Sequence, residues 1–120
     1  MDQNARARLD VQARGLGIDL DGLLTRHEGI NAGVIAKYRE IMPRAEGGIA
    51  EFHFAATGNA KRRLLRRNLV GTQKRRGKVS CREAISFNWL TYCSVLYALT
   101  AKETGTKLVS WQIVVSPNSK

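Results

Sequence analysis

The stretch GGIAEFHFAAT, residues 47–57, alternates its side chains with the period of two that is typical of a β-strand. One set points to one side of the strand, and it comprises Ala50, Phe52, Phe54 and Ala56. The other set points the opposite way, and it comprises Ile49, Glu51, His53 and Ala55. We therefore predict a strand at 48–56. Because the segments around it have mainly helical patterns, this strand indicates an α+β fold rather than an all-helical one.

The residues before this strand have helical periodicity. Ala5, Leu9 and Ala13 recur at helical spacing and predict a first helix. In 20–42 the pattern predicts two short helices joined by a turn at Glu28-Gly29, with Asn31 as the N-cap of the second helix. Pro43 disfavours helical geometry at the residue before it, so the second helix should end there.

The helix pair in 20–42 also matches part of a helix-turn-helix motif. Its apolar and glycine positions fit, but Thr25 and Glu28 stand where small and apolar residues are usual. The second helix also carries little positive charge with which to approach DNA. Two interpretations stay open: a purely structural helix pair, and a helix-turn-helix DNA-binding regulator.

The second half of the chain predicts one long helix and one strand. SCRE, residues 80–83, fits a capping box in which Ser80 is the N-cap and Glu83 reciprocates, so we predict a long buried helix at 81–102. Cys81 and Cys93 would then lie about 18 Å apart in one helix and could not pair, which favours reduced thiols. A closing strand is predicted at 107–116. The predicted core contains Trp89, Leu96, Trp111 and Ile113.

These elements form a single α+β domain over 1–120: amino-terminal helices, two short strands, a basic amphipathic helix and a long buried helix. A two-stranded sheet is marginally stable by itself. We therefore expect a homodimer to complete the sheet.

Positive charge is concentrated in one window of the sequence. The chain has 20 basic and 10 acidic residues, a formal charge of +10 and a pI near 10.3. Residues 52–82 contain ten basic residues and no acidic one, so the remainder of the chain is neutral. The ten are Lys61, Arg62, Arg63, Arg66, Arg67, Lys74, Arg75, Arg76, Lys78 and Arg82.

The centre of this window predicts a basic helix-loop segment at 58–80. Between Asn59 as N-cap and Gly71 as terminator, helical spacing places Arg62, Arg63, Arg66 and Arg67 on one arc and Leu64, Leu65 and Leu69 on the other. The loop from Lys74 to Lys78 would be mobile. We expect the arginines to contact phosphates and the loop to wrap an adjacent stretch of the same partner.

Arginine outnumbers lysine seven to three in this window, and the planar guanidinium binds two phosphate oxygens at once. We therefore predict a nucleic-acid-binding protein, DNA-binding or RNA-binding, with little sequence preference. Residues 55–86 have no aromatic side chain for base stacking, which favours duplex backbone contact. The alternatives are a basic interaction or structural protein that docks an acidic protein, and one that docks an anionic membrane.

Other functional classes lack a signature. His27 and His53 are isolated, no phosphate-binding loop or nucleophile motif is present, and we predict neither an enzyme nor a metal or other cofactor. No signal peptide or transmembrane segment is predicted, so an intracellular location is expected, cytoplasmic or nuclear if the source is eukaryotic or viral. The two basic clusters around NLVGTQ, residues 68–73, also resemble a bipartite nuclear localisation signal.

Overall fold

Residues 1–114, the part of the chain that this computed structural model describes, form four α-helices and four β-strands. The helices are α1 (Gln3–Leu16), α2 (Leu20–Ile41), α3 (Gly58–Leu65) and α4 (Leu90–Thr104), the last preceded by a 3-10 turn at Phe87–Trp89. The strands are β1 (Gly47–Ala55), β2 (Gln73–Arg75), β3 (Lys78–Ser86) and β4 (Lys107–Val114). The predicted α+β class is confirmed.

The strands form one antiparallel sheet in the order β2-β3-β1-β4. β1 lies inside the sheet between two long partners, which confirms the strand predicted at 48–56 within one residue at each end. From β1 onward the elements follow the β-α-β-β-α-β connectivity of the split, ferredoxin-like arrangement. Such a scaffold hosts many functions, so its connectivity does not by itself indicate one.

Two apolar clusters meet on α4. Phe52 and Phe54 of β1 are buried against one side of this helix, where Tyr97 packs edge-on to Phe52 with ring centroids 4.1 Å apart. On its other side, Val95 and Leu99 pack with buried side chains of α1 and α2. The predicted long helix is therefore buried on several sides, although its bounds differ from those predicted.

The two helices predicted in 20–42 are wrong: α2 runs without a break through Glu28 and Gly29. Gly29 is exposed with open space around it, so it fits a helix surface, and Asp19 is the N-cap. The predicted cap Asn31 is instead buried in mid-helix. Without a turn between two helices, the helix-turn-helix interpretation is also wrong. The predicted end before Pro43 is confirmed.

The helix predicted at 81–102 is wrong in its first third, where β3 pairs with β1 along nine residues. Val79 and Cys81 are buried on the face of the sheet that packs against α4, which we call the inner face. The cross-strand pairing overrides the local helix-start signal. Ser80 lies opposite His53 in the sheet, and Glu83 accepts a hydrogen bond from Tyr97. The cysteines consequently lie in different elements, and both are free thiols.

Two further predictions, on the number of strands and on Trp89, are wrong. The sheet has four strands rather than two, which removes the structural premise for a dimer. Trp89 is 39% exposed and lies outside the core, whereas Leu96, Trp111 and Ile113 are half-buried and pack against the core.

The closing strand is confirmed to Val114, and the predicted residues 115–116 lie outside the described part. Within residues 1–114, no helix is both long and apolar enough to cross a bilayer.

Candidate nucleic-acid interface

The basic segment borders one edge of the sheet. We call residues 61–78 the basic edge, since they run from α3 through a connecting turn into the β2-β3 hairpin, and β2 is the outermost strand on that side. Nζ of Lys61 on α3 donates to the backbone carbonyl of Arg75 on β2 at 2.6 Å, which ties the helix to the hairpin. Nine of the ten predicted site residues therefore belong to one continuous border.

α3 and the turn after it are held to the body of the protein by their leucines, as predicted. Leu64 is 1% exposed, and Leu65 and Leu69 pack against the same core cluster. The helix is shorter than predicted and ends at Leu65 instead of continuing to Gly71. Asn68 adopts a left-handed conformation there, with φ 51°, and turns the chain back toward β3. Arg66 and Arg67 thus lie in the turn after α3 and not on its face.

Gly71 explains why the turn after α3 runs close to the sheet. Its φ is +60°, and a Cβ at this position would collide with the backbone of Arg82. Oγ1 of the next residue, Thr72, lies 3.7 Å from Sγ of Cys81 on β3. The segment therefore follows β3 before it enters β2.

The predicted mobile loop at 74–78 is a β-hairpin. Gln73, Lys74 and Arg75 pair with Ser80, Val79 and Lys78. Gly77 provides the left-handed residue of the connection, with φ +70°. Because strand residues alternate between the two faces, Arg75 and Lys78 share one face, while Lys74 and the buried Val79 share the other.

Four of the ten basic side chains have intramolecular partners. Lys61 holds β2, and Arg82 forms an ion pair with Glu51 on β1. Nε of Arg63 donates to the carbonyl of Thr104 at 3.1 Å, at the carboxyl end of α4, where a positive charge complements the helix dipole. Arg67 lies 3.7 Å from the carboxylate of Glu103, a partly exposed contact that contributes little to stability.

The other six are exposed and, within residues 1–114, their side chains form no hydrogen bond or ion pair. They are Arg62, Arg66, Lys74, Arg75, Arg76 and Lys78. The structure therefore divides the predicted site into side chains that hold the segment in place and side chains that remain available.

An ion-pair group on the neighbouring strands was missed by sequence reasoning. Glu51 is only 7% exposed, and its carboxylate accepts from Nε of Arg82 and lies 2.6 Å from Nε2 of His53. Burial acts to raise the pKa of Glu51, but the hydrogen bond and charge of Arg82 outweigh it, and His53 adds to them, so this pKa is lowered. The spacing of Glu51 and His53 in a strand indicated that both side chains lie on one face of the sheet. Only the pairing register of β1 with β3 shows that Arg82 lies next to Glu51 on that face.

A cavity opens beside this group. It has a volume of about 510 Å³ and is lined by side chains from all four strands. Its polar lining includes Glu51, His53, Gln73, Arg75, Lys78, Ser80, Arg82 and Ser110. Concave sites of this size accommodate small organic ligands.

Metal and thiol chemistry have little support in this part of the protein. In residues 1–114, no three His, Cys, Asp or Glu side chains are grouped closely enough to hold a metal ion. Burial raises the pKa of the Cys81 thiol, and burial together with the Glu83 carboxylate raises that of Cys93 to about 12. Neither thiol is activated as a nucleophile.

Comparison with known proteins leaves the geometry as the basis for assigning a function. A scan of protein-family models found no match to this chain, and neither did searches of curated proteins and of solved structures.

Proposed function

We propose that this protein binds the phosphate backbone of nucleic acid through the basic edge, with little dependence on base sequence. The observation that carries the proposal is a group of six exposed cations that have no side-chain partner within residues 1–114: Arg62, Arg66, Lys74, Arg75, Arg76 and Lys78. Like charges held this close repel one another, and a polyanion relieves that repulsion while it releases counterions.

The docking of α3 argues against an anionic membrane as the partner. A helix that lies in a membrane interface needs apolar side chains to insert. The leucines of this segment are buried or packed on the core, and Val70 is the one large apolar side chain of the basic edge that is strongly exposed, at 57%. An acidic protein remains the second candidate, since its carboxylates would also neutralise the six cations.

We also propose that the protein acts as a homodimer, on grounds of avidity. Two copies of one site on a repetitive polyanion bind more tightly than either copy alone. β4 supports this proposal because it is an edge strand eight residues long, and an unpaired strand edge is a template for pairing with another chain. Light scattering that gives only a 13.3 kDa species at micromolar concentration would contradict it.

A nucleic-acid partner also makes an intracellular location the expected one.

The proposed function is tested by fluorescence anisotropy with labelled DNA and RNA of unrelated sequences, over a range of salt concentrations. For Z neutralised phosphates, log affinity should fall with log salt with a slope near −0.9Z on duplex DNA. Arg62→Ala and Arg66→Ala should each reduce that slope by about one, and they should do so equally for all sequences.

Arg44→Ala is the matched control. Arg44 is also exposed, but it precedes β1 at the end of the sheet opposite the hairpin. Its loss changes the net charge by the same amount and should leave the slope nearly unchanged. If Arg44→Ala weakens binding as much as Arg62→Ala does, net charge rather than the basic edge governs the binding. Retention of an acidic protein, with no affinity for any oligonucleotide, would favour the second candidate.

A further inference from the structure

The outer face of the sheet is not covered by any helix of residues 1–114. The inner face, with Phe52 and Phe54, packs on α4 and α3, and Trp111 on this same face contacts His27 of α2. Alternation along β1 places Glu51, His53 and Ala55 on the outer face. The cavity of about 510 Å³ lies on this open side.

Cross-strand register arranges the outer face in rows, and the row nearest the hairpin is cationic. Arg75 lies opposite Lys78, which lies opposite Ala55, which in turn lies opposite Lys107. Directly opposed like charges destabilise a sheet. No acidic residue of the described chain belongs to this row. The row is therefore a place where a bound anion would relieve repulsion.

The next row consists of hydrogen-bonding side chains. Gln73, Ser80, His53 and Ser110 follow one another across the four strands. A bulge in β4 at this point leaves Val109 60% exposed beside the cavity. Two residues along a strand separate the rows, which is about 6.7 Å.

Glu51 fixes the geometry of the polar row. Its carboxylate is ionised and can only accept hydrogen bonds, so Nε2 of His53, 2.6 Å away, carries the proton of that bond. Arg82 holds the other carboxylate oxygen. The imidazole is thereby held in place before any ligand arrives, and the His53 side chain is 39% exposed.

We propose that this cavity binds one unpaired nucleotide, with its phosphate on Arg75 and Lys78 and its sugar and base over the row of Gln73, Ser80, His53 and Ser110. The order of the rows matches the order of groups in a nucleotide: anionic phosphate first, then hydroxyl-bearing sugar and flat base. A duplex keeps its bases stacked inside, so a cavity for a single nucleotide selects unpaired strands. The inference rests on the proposed function and deepens it, because it makes a single strand the preferred partner.

The test uses one binding assay with three kinds of probe on the full chain. Single-stranded and duplex oligonucleotides of equal length are compared by anisotropy at one ionic strength. A nucleoside monophosphate and the matching unphosphorylated nucleoside are titrated while amide chemical shifts are recorded. We expect tighter binding of the single strand, and shifts from the monophosphate that centre on Ser80, His53 and Ser110.

Lys78→Ala and Lys74→Ala form a matched pair, because both remove an exposed lysine of one hairpin but from opposite faces of the sheet. Loss of a charge-assisted hydrogen bond should weaken monophosphate binding by about tenfold in Lys78→Ala. Lys74→Ala should change it little. Ser110→Val, which keeps the charge and suits a strand, should weaken nucleotide binding several-fold if the polar row contacts the ligand.

The outcomes separate this inference from the proposed function. Equal losses in the two lysine variants, or monophosphate shifts that avoid the polar row, would overturn the nucleotide site, although salt-dependent backbone binding could still hold. Monophosphate binding at the row without affinity for any oligonucleotide would support the site, identify its ligand as a free nucleotide and overturn the proposed function.

Discussion

The imidazole of His27 stacks on the indole of Trp111, with ring centroids 4.6 Å apart and planes inclined by 12°. His27 is 4% exposed, and its Nδ1 lies 2.9 Å from Oγ of Ser94. Ser94 donates its single hydroxyl proton to the carbonyl of Thr91, so Nδ1 of His27 carries the proton of the bond to Oγ of Ser94. Burial, with a smaller effect from Arg26, lowers the pKa of His27 from 6.5 to about 4.

This lowered pKa makes the free energy of unfolding depend on pH. Between pH 6.5 and 4 the unfolded chain binds a proton at His27 while the folded chain does not, so acid favours the unfolded state. Above pH 6.5 we expect His27 not to reduce the free energy of unfolding. As the pH falls toward 4, this residue should lower the free energy of unfolding by up to about 3 kcal/mol, and below pH 4 it should lower it no further. Urea melts at several pH values measure it.

His27→Gln is the control for that experiment, because it keeps a hydrogen-bonding side chain but removes the titration. Its free energy of unfolding should be lower at pH 7 yet change less between pH 6.5 and 4. Identical pH dependence in the two proteins would show that other groups cause the acid lability.

Asn31 joins α2, α4 and β4 by hydrogen bonds. Its Nδ2 donates to Thr91 at 3.0 Å and Ser94 at 3.1 Å, and its Oδ1 accepts from Nε1 of Trp111 at 2.6 Å. Asn31→Ala removes all three hydrogen bonds and leaves Nε1 of Trp111 without its acceptor, so we expect it to cost about 3 kcal/mol in urea melts. Asn88→Ala, at an exposed site in the 3-10 turn, should cost less than about 0.5 kcal/mol. Similar costs for both would contradict the assigned network.

The helical and strand patterns that the sequence predicts correctly are those with a strong period. β1 alternates over its whole length, and the helix predicted from the spacing of Ala5, Leu9 and Ala13 is α1, which buries these three side chains. β3 has the same alternation in Val79, Cys81 and Ile85, but Glu83 interrupts it on the inner face and completes an apparent capping box. Glu83 is tolerated there because Tyr97 donates to it at 2.6 Å, a contact that no local pattern indicates.

The basic residues of the candidate site could be predicted because charge clusters in sequence as well as in space. Their division into structural and available side chains could not, since it depends on distant partners such as Thr104 for Arg63. The polar row was missed for a related reason. Ser110 lies 57 positions from His53 in sequence, and only the register of β4 places them side by side.

The two tryptophans should differ in their effect on stability. Trp111 is half-buried, stacks on His27 and donates to Asn31, so Trp111→Ala should cost about 3 kcal/mol, the lower end for loss of a large aromatic core residue. Trp89 contacts Tyr92 edge-on and is 39% exposed, so Trp89→Ala should cost about 1 kcal/mol or less. Equal destabilisation in urea melts would show that Trp89 belongs to the core.

Both cysteines should resist alkylation in the folded protein. Cys81 has no solvent exposure, and a pKa of about 12 leaves about one Cys93 thiol in 10⁴ ionised at pH 8. Iodoacetamide at pH 8 should therefore modify the native protein at least about a hundredfold more slowly than the urea-unfolded protein. Rapid modification of one thiol in the native state would indicate an accessible, ionised cysteine.

Arg62 and Arg63 are neighbours in sequence with different expected roles. Arg63 caps the carboxyl end of α4 through the carbonyl of Thr104, whereas the Arg62 side chain has no partner within residues 1–114. Arg63→Ala should lower the free energy of unfolding by about 1 kcal/mol, the usual value of a cation at a helix carboxyl end. Arg62→Ala should leave stability within about 0.5 kcal/mol and instead weaken nucleic-acid binding. Arg63→Lys keeps the charge and should recover part of the stability. If Arg62→Ala destabilises the fold and Arg63→Ala does not, the division of the basic edge into supporting and binding side chains is wrong.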